Sequence, residues 1–258
     1  MKTINLSAVY VMWLREMKKF MRSKSMIAGS LVTPLLFLTF FGFGFGSMQI
    51  GGGSGSSGVS YIQFLIPGII GMALLFSSTF AGLTVLLDRE FGFLKEIMVA
   101  PVSRISIVLG RTAGAITTGL IQALLILGLS LLFQFRAIGI ASLLLAIVFM
   151  VLTATAFIGM GLIFASKMRD PRGFNLIVNF IIFPLFFLSG ALFPLQNLPE
   201  AVRAISYADP LTYGVDGMRF ALIGVSAFPL WLDFGVLLGL SGLMVFLGAW
   251  FFEKSESV

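Results

Sequence analysis

Side chains able to do chemistry are few in this sequence. The chain of 258 residues has 11 Asp and Glu, 17 Lys and Arg, and neither His nor Cys. The commonest general base and the thiolate nucleophile are therefore absent, as are two of the usual metal ligands. The sequence also lacks the patterns G-x-x-x-x-G-K-[ST], H-E-x-x-H and G-x-S-x-G. We therefore predict that the chain is not an enzyme and holds no cofactor or metal of its own.

The composition indicates which elements must position the remaining polar groups. Apolar residues make up 58% of the chain, charged residues 11%, and the mean hydropathy is +1.05. A soluble domain carries about 25% charged residues, so this chain cannot cover itself with polar surface. Its apolar runs are long enough to cross a bilayer as helices, which takes about 20 residues. We predict an all-α integral membrane protein with six spans, near Met26–Met48, Tyr61–Leu87, Ser106–Phe133, Ile140–Ser166, Asn175–Phe193 and Pro229–Phe252.

The basic residues predict the orientation of these spans. With the N-terminus inside, all but three of the 17 Lys and Arg residues fall on the inner side. The exceptions are Arg136, Arg203 and Arg219. By the positive-inside rule, both termini lie in the cytoplasm of a multi-pass protein, expected in a prokaryotic plasma membrane. Because the net charge of +6 lies beside membrane helices, we interpret it as membrane anchoring rather than nucleic-acid binding.

Ionisable residues are scarce inside the spans. Arg111 and Asp233 lie close to predicted span ends, from which we expect them to reach the interface. A secondary carrier needs ionisable groups near the midplane. Their scarcity therefore counts against a proton-coupled carrier.

The first 25 residues differ from the rest, because their apolar side chains recur every three or four positions among basic ones. This pattern predicts an amphipathic helix on the membrane surface over residues 1–25. Its interfacial residues are Trp13, Arg15, Lys18, Lys19 and Arg22. The basic members could anchor the helix to anionic lipid or contact a partner protein. The permease domain proper would then cover residues 26–258, with a flexible Gly/Ser linker at 51–58.

The loop at residues 88–104 is dense in charge, yet Phe91, Leu94 and Ile97 keep helical spacing until Pro101. Such a short amphipathic helix suits docking into a groove on another protein. Resting on lipid head groups is the alternative.

The segment 194–225 is too polar and too rich in proline to span a membrane. Its apolar residues still recur helically, which predicts two short re-entrant helices in the outer leaflet before the last span. Asp216 and Arg219 are three residues apart, so they could pair on one helix face. The segment could close an exit or serve as a purely structural cap.

Two stretches resemble a known family. In the loop, Glu90 and Gly92, followed by Pro101 and Ser103, resemble the first cytoplasmic loop of type 2 ABC transporter permeases. The stretches Leu188–Pro194 and Asp209–Tyr213, followed by Arg219, are similar to a motif of the drug-resistance and nodulation-type exporters in that family. Asp209 stands where Asn is common. The span count and length agree along essentially the whole chain.

The resemblance implies a function and partners. Such permeases pair as two copies with two cytoplasmic ATPase subunits, which bind ATP and Mg²⁺. The resemblance identifies the loop as the ATPase-coupling helix, through Glu90, Gly92, Leu94, Lys95, Glu96, Ile97, Pro101 and Ser103. It implies an outer gate that comprises Pro194, Asp209, Pro210, Tyr213, Asp216 and Arg219.

The transport pathway is less defined. We predict that it is lined by Phe41, Phe43, Phe45, Asn175, Asn179 and Phe183. Asn175 and Asn179 lie one turn apart and should avoid lipid, although such residues also hold helices together. The favoured interpretation is an exporter of a hydrophobic drug, lipid or lipid-linked molecule, with roles in multidrug resistance. A polysaccharide exporter and a non-transporting assembly or scaffold protein are the alternatives.

Overall fold

The protein is a bundle of helices in a computed structural model that describes residues 5–50, 58–90, 104–133, 135, 139–168 and 170–255. Ten α-helices cover most of these residues. They are α1 (Leu6–Arg22), α2 (Lys24–Phe45), α3 (Tyr61–Glu90), α4 (Arg104–Ser130), α5 (Ile140–Lys167), α6 (Pro171–Ile177), α7 (Phe183–Leu188), α8 (Glu200–Ser206), α9 (Pro210–Ile223) and α10 (Leu230–Ser255). A π-helical turn, Val178–Ile182, joins α6 to α7.

The six predicted spans are confirmed. Within the described residues, six helical segments are long and apolar enough to cross a membrane: Ile27–Phe45, Tyr61–Asp88, Ser106–Phe133, Ile140–Lys167, Pro171–Leu188 and Leu230–Phe251. We number these segments as the first to sixth spans.

The predicted limits of the fifth span, Asn175–Phe193, are wrong by four or five residues at each end. The helix begins earlier because the Asp170 carboxylate accepts a 2.8 Å hydrogen bond from the Arg172 amide, with Pro171 at the first helical position. It ends earlier because Gly190 adopts a left-handed conformation with φ of 76°. That conformation turns the chain out of the helix.

The second span, α3, lies at the centre of the bundle, and it contacts α5 without side chains between them. A Cβ atom on Gly82 of α3 would overlap the backbone of Gly161 in α5. On the same helix α5, Gly159 meets the backbone of α10 at Met244, and Gly248 meets the Gly159 carbonyl. Helix α5 is therefore packed backbone to backbone against both α3 and α10, which small residues allow.

The Gly/Ser stretch at 51–57 lies outside the described residues, and its flanks pair with each other. Strand β1 (Gln49–Ile50) runs antiparallel to β2 (Val59–Ser60), with Gln49 opposite Ser60. This short ladder is a detail that the all-α prediction missed. It holds together the two ends of the predicted linker.

Two short helices, α8 and α9, lie before the last span, and their re-entrant position in the outer leaflet stays a prediction. Helix α9 is almost wholly buried, and its glycines face α5, where Gly214 meets Thr153 and Gly217 meets the Phe149 ring. Gly224 ends α9 with φ of 72°, and the chain then turns back along the helix towards α10. These helices cap the end of the bundle at which α3 begins.

Candidate functional site

The predicted partner-docking loop lies almost entirely outside the described residues. Glu90 is the last residue of α3, and the other predicted coupling residues fall within the undescribed stretch 91–103. Those residues are Gly92, Leu94, Lys95, Glu96, Ile97, Pro101 and Ser103. Their role therefore stays a prediction.

Helix α1 docks on the first part of α4. Its N-cap is Asn5, whose side chain accepts hydrogen bonds from the amides of Ser7 and Ala8. The backbone amide of Asn5 donates to Ser106 Oγ at 2.9 Å, and Trp13 Nε1 donates to Thr117 Oγ1 at 3.0 Å. Trp13 therefore faces a membrane span.

Two glycines of α4 make this close approach possible. A Cβ atom on Gly110 would lie 2.6 Å from Met12 Cβ, and one on Gly114 would lie 2.7 Å from Glu16 Cβ. Both distances are too short for real atoms. The glycines form a small-xxx-small groove that α1 fills.

A group of three charged residues, which we call the α1-end cluster, lies where α1, α3 and α4 meet. Arg15 of α1 approaches Asp88 of α3 at 3.5 Å, and Arg111 of α4 forms a direct ion pair with the same carboxylate. Arg111 is only 6% exposed. The expectation that Arg111 reaches the interface is therefore wrong, because it turns inward to Asp88. The other predicted basic residues of α1, Lys18, Lys19 and Arg22, are exposed.

Beside this cluster is a cavity of about 520 Å³, which we call the first cavity. Apolar side chains of α3 line much of its wall, including Met72, Phe76 and Phe80. Glu16 and Lys19 of α1 lie at one end, and Ser30, Thr33, Thr118 and Gln122 add polar groups. Volume and lining both match a small-molecule site with an apolar body and a few polar anchors.

A second group of charged residues, the far-end cluster, lies at the opposite end of α3, about 36 Å away by helical rise. It consists of Asp216 and Arg219 of α9 and Asp233 of α10. Arg219 is 3.8 Å from Asp216 on the same helix face, so the predicted pair is confirmed.

Arg219 also ties the cap to the bundle. Its guanidinium donates to the Gly190 carbonyl at 3.0 Å and lies 3.7 Å from the centroid of the Phe64 ring in α3. Burial lowers its pKa to about 10, against the opposing effect of Asp216. Arg219 therefore stays positively charged at neutral pH.

Asp233 is fully buried. The sequence-based expectation placed it at the interface, and that expectation is wrong. The loop after α9 folds back onto the neighbouring Asp216, whose carboxylate accepts hydrogen bonds of 2.9 Å from the amides of Ala227 and Phe228. A carboxylate within a predicted span is a sequence signal of interest, but the burial of Asp233 beside Asp216 depends on segments that are distant in the sequence.

The other predicted gate residues belong to the same cap. Asp209 caps α9 by accepting from the Leu211 amide, Pro210 is the first helical residue, and the Tyr213 hydroxyl donates to the Tyr207 carbonyl at 2.7 Å. Burial raises the pKa of Asp209 to about 7, while the Leu211 hydrogen bond lowers it. Pro194 lines a second cavity of about 570 Å³ together with Asp216 and Arg219.

The predicted pathway residues do not share one surface. Phe183 lines the first cavity, whereas Asn175 and Asn179 are exposed on the outside of the fifth span. On α2, Phe41 stacks between Phe37 and Phe45, and Phe43 instead lies near Phe133 and is 79% exposed. Residues lining the first cavity on α3 and α4 were not anticipated, because apolar side chains in a span give no sequence signal of their own.

Six spans around a cavity, both among the described residues, are features of membrane transport proteins. Comparison with known proteins agrees. Residues 7–223 match the model of the ABC-2 type transporter family. The chain is 30% identical to the inner membrane transport permease YadH of Escherichia coli, over 89% of this chain and 88% of that protein. It is also 30% identical to Nodulation protein J of Rhizobium meliloti, over 82% and 79% of the two chains.

A third relative is the transport permease ycf38 of Pyropia yezoensis, described as putative, which is 31% identical over 80% of this chain and 70% of that protein. This protein belongs to the ABC-2 type transporter family. It is a multi-pass membrane transport permease rather than an enzyme. ATP hydrolysis takes place in a separate subunit, so the family implies an ABC ATPase as partner.

Proposed function

We propose that this permease exports an amphipathic molecule, such as a drug, a lipid or a lipid-linked compound, from the cytoplasm or the inner leaflet. The first cavity carries the proposal. Its apolar wall suits a hydrocarbon body, and Glu16 and Lys19 at one end suit a polar head. A role in multidrug resistance follows if the cargo is a drug.

The orientation follows from exposed charge. Lys18, Lys19 and Arg22 of α1 are exposed at the same end of the bundle as the first cavity. Basic groups favour the cytoplasmic face, where anionic lipids contribute about 1 kcal/mol for each of them. We therefore assign the α1 end and both termini to the cytoplasm, and the far-end cluster to the outer side.

Two ATPase subunits would bind at the α1 end and hold the ATP and Mg²⁺. Asp88 joins α1, α3 and α4 at the first residue of the predicted coupling loop. A movement of that loop would therefore be transmitted to α1 and to the wall of the first cavity through the carboxylate of Asp88.

A second copy of the chain would cover the fifth span. Asn175 and Asn179 are exposed on that span, where hydrocarbon offers no hydrogen-bond partner. Since the chain has no cysteine, Asn179→Cys alone should form a disulfide-linked dimer in the membrane. Leu144→Cys, on an exposed face of α5, is the control and should stay monomeric. Equal cross-linking of the two variants would contradict the dimer.

Co-purification tests the partner. The permease purified from native membranes should bring an ABC ATPase with it, and Glu90 or Leu94 substitutions should release or uncouple that ATPase. Elution of the permease alone in several mild detergents would favour the scaffold alternative.

A pair of matched glycine substitutions tests the cargo site. Gly29 lines the first cavity and has open space around its Cβ position, whereas Gly44 on the same helix has equal space and lies away from the cavity. In the complex with its ATPase, Gly29→Phe should abolish stimulation of ATP hydrolysis by amphiphiles, and Gly44→Phe should retain it. Stimulation by oligosaccharides, but not by amphiphiles, would instead support the polysaccharide exporter.

A further inference from the structure

Asp233 has an unusual environment for a carboxyl group. It is fully buried, and neither of its oxygens has an N–H or O–H donor among the described residues. Its carboxyl lies within hydrogen-bonding reach of the Asp216 carboxyl. An ionised carboxylate left this way would lack hydrogen-bond donors and face a like charge, and its place in the first turn of α10 would offset this cost only in part.

The neighbouring carboxyl group, that of Asp216, already accepts hydrogen bonds from backbone amides. The amide of Ala227 donates to both of its oxygens at 2.9 Å, and that of Phe228 donates to Oδ2 at 2.9 Å. Arg219 adds the only positive charge near it among the described residues. These contacts favour the ionised form of Asp216 and leave Asp233 with no positive charge to balance it.

We propose that the Asp216–Asp233 pair is a proton-binding site, in which Asp233 is protonated and donates a hydrogen bond to the carboxylate of Asp216. The proton supplies the donor that Asp233 otherwise lacks, and it makes the far-end cluster neutral. Two adjoining buried carboxyls share one proton for the same reason in other proteins.

In the part of the chain that the structure describes, few other titratable groups face the pair. Arg219 and Tyr213 come from α9, and Asp209 lies further along the same cap. Helix α3 contributes the uncharged Phe64 ring, and α5 contributes the Phe149 ring, which contacts Phe234 next to Asp233. The protonation of the pair is therefore governed by Arg219 and by access to water.

The second cavity provides that access, because Asp216 and Arg219 line it. While Asp233 is buried against Asp216 of α9, the proton is held; if α9 moves away, water replaces the missing donor and the proton can leave. Closure of the cap and binding of one proton are therefore linked. Only the assignment of this site to the outer face rests on the proposed function.

Infrared spectroscopy of the full chain in lipid nanodiscs tests the site without its ATPase or cargo. At neutral pH the wild type should show the C=O band of a buried carboxylic acid, and Asp233→Asn should lose it. Asp209→Asn is the control, because Asp209 is a second buried acid with a raised pKa. This variant should lose a band at a different frequency and keep the band assigned to Asp233. An unchanged spectrum in Asp233→Asn would overturn the proposal.

Stability against pH gives a second readout. The folded site holds a proton that an unfolded aspartate has already lost above about pH 4. Rising pH should therefore favour unfolding of the wild type by up to about tenfold per pH unit relative to Asp233→Asn, whose amide keeps the donor. Equal pH dependence of the two proteins would contradict the proposal, and stabilisation by Na⁺ in place of protons would reassign the site to a cation.

If Asp233→Asn does not fold, Asp233→Glu keeps an acid at this position. Its carboxylic acid band should then move to a new frequency. A band at the wild-type frequency would exclude Asp233 as the protonated group.

Discussion

The α1-end cluster and the far-end cluster contain the same residue types in opposite proportions. The first has two arginines around Asp88, and the second has two aspartates beside Arg219. Their exposure also differs, since the Arg15 side chain is 30% exposed and Asp233 is fully buried. Water can solvate excess charge at the α1 end, whereas the far end must balance its charge from its own groups.

Removing the central cation of the buried cluster should have the largest effect. Arg219→Leu leaves Asp216 without its ion pair and the Gly190 carbonyl without its donor, so we expect a loss of about 3–5 kcal/mol in unfolding free energy. Thermal unfolding in mild detergent measures it. The control is Arg172→Leu, since Arg172 is exposed; a similar loss there would show that the effect is not specific to the cluster.

Displacing α1 through its backbone contact should disturb the other cluster without changing a charge. Gly110→Ala places a methyl group against Met12, and we expect a cost of about 1–3 kcal/mol from overpacking. Faster deuterium exchange in α1 would report its release. Gly128 lies on the same helix with open space around it, so Gly128→Ala should be neutral or slightly stabilising. Unchanged exchange in Gly110→Ala would mean that α1 does not depend on this groove.

The contribution of the partly exposed α1-end cluster to stability should depend on salt, and that of the buried far-end cluster should not. Asp88→Asn removes the shared carboxylate, at a cost of about 1–2 kcal/mol at low ionic strength. This cost should shrink as salt is added, while that of Arg219→Leu stays constant. Unfolding midpoints of both variants, measured over a series of salt concentrations, test this contrast. The same salt dependence in both variants would show that the two clusters do not differ in exposure to solvent.

The smallest effect concerns the hydrogen bond between Trp13 and Thr117. Trp13→Phe keeps an aromatic ring and loses only the donor, so we expect about 0.5–1.5 kcal/mol. Thr117→Val removes the other partner. A double-mutant cycle of the two substitutions should give a coupling energy of the same size, and additive effects would show that the bond contributes nothing.

The sequence predicts those features that depend on local pattern. Long apolar runs predict the spans, and the three-residue spacing predicts the Asp216–Arg219 pair. Apolar side chains that recur every three or four positions predict α1. Each of these is set by residues within a few positions of one another. The resemblance in the loop and the cap also agrees with the family to which the chain belongs.

Features that need distant segments were not predictable. Asp233 looks interfacial because it lies three residues after the start of α10, yet it lies beside Asp216 of α9 and is fully buried. The small-xxx-small spacing of Gly110 and Gly114 is visible in the sequence, but nothing local indicates that α1 fills the groove. The first cavity depends on four spans meeting.

The contacts of Gly82 with Gly161, and of Gly159 with Gly248, determine where distances can change during transport. Helices that touch through their backbones cannot slide past each other without steric overlap, so α3, α5 and α10 must move together. Paired spin labels on these three helices would then report constant separations throughout a transport cycle. Labels on α6, the part of the fifth span that precedes the π-helical turn, would report separations that change during the cycle.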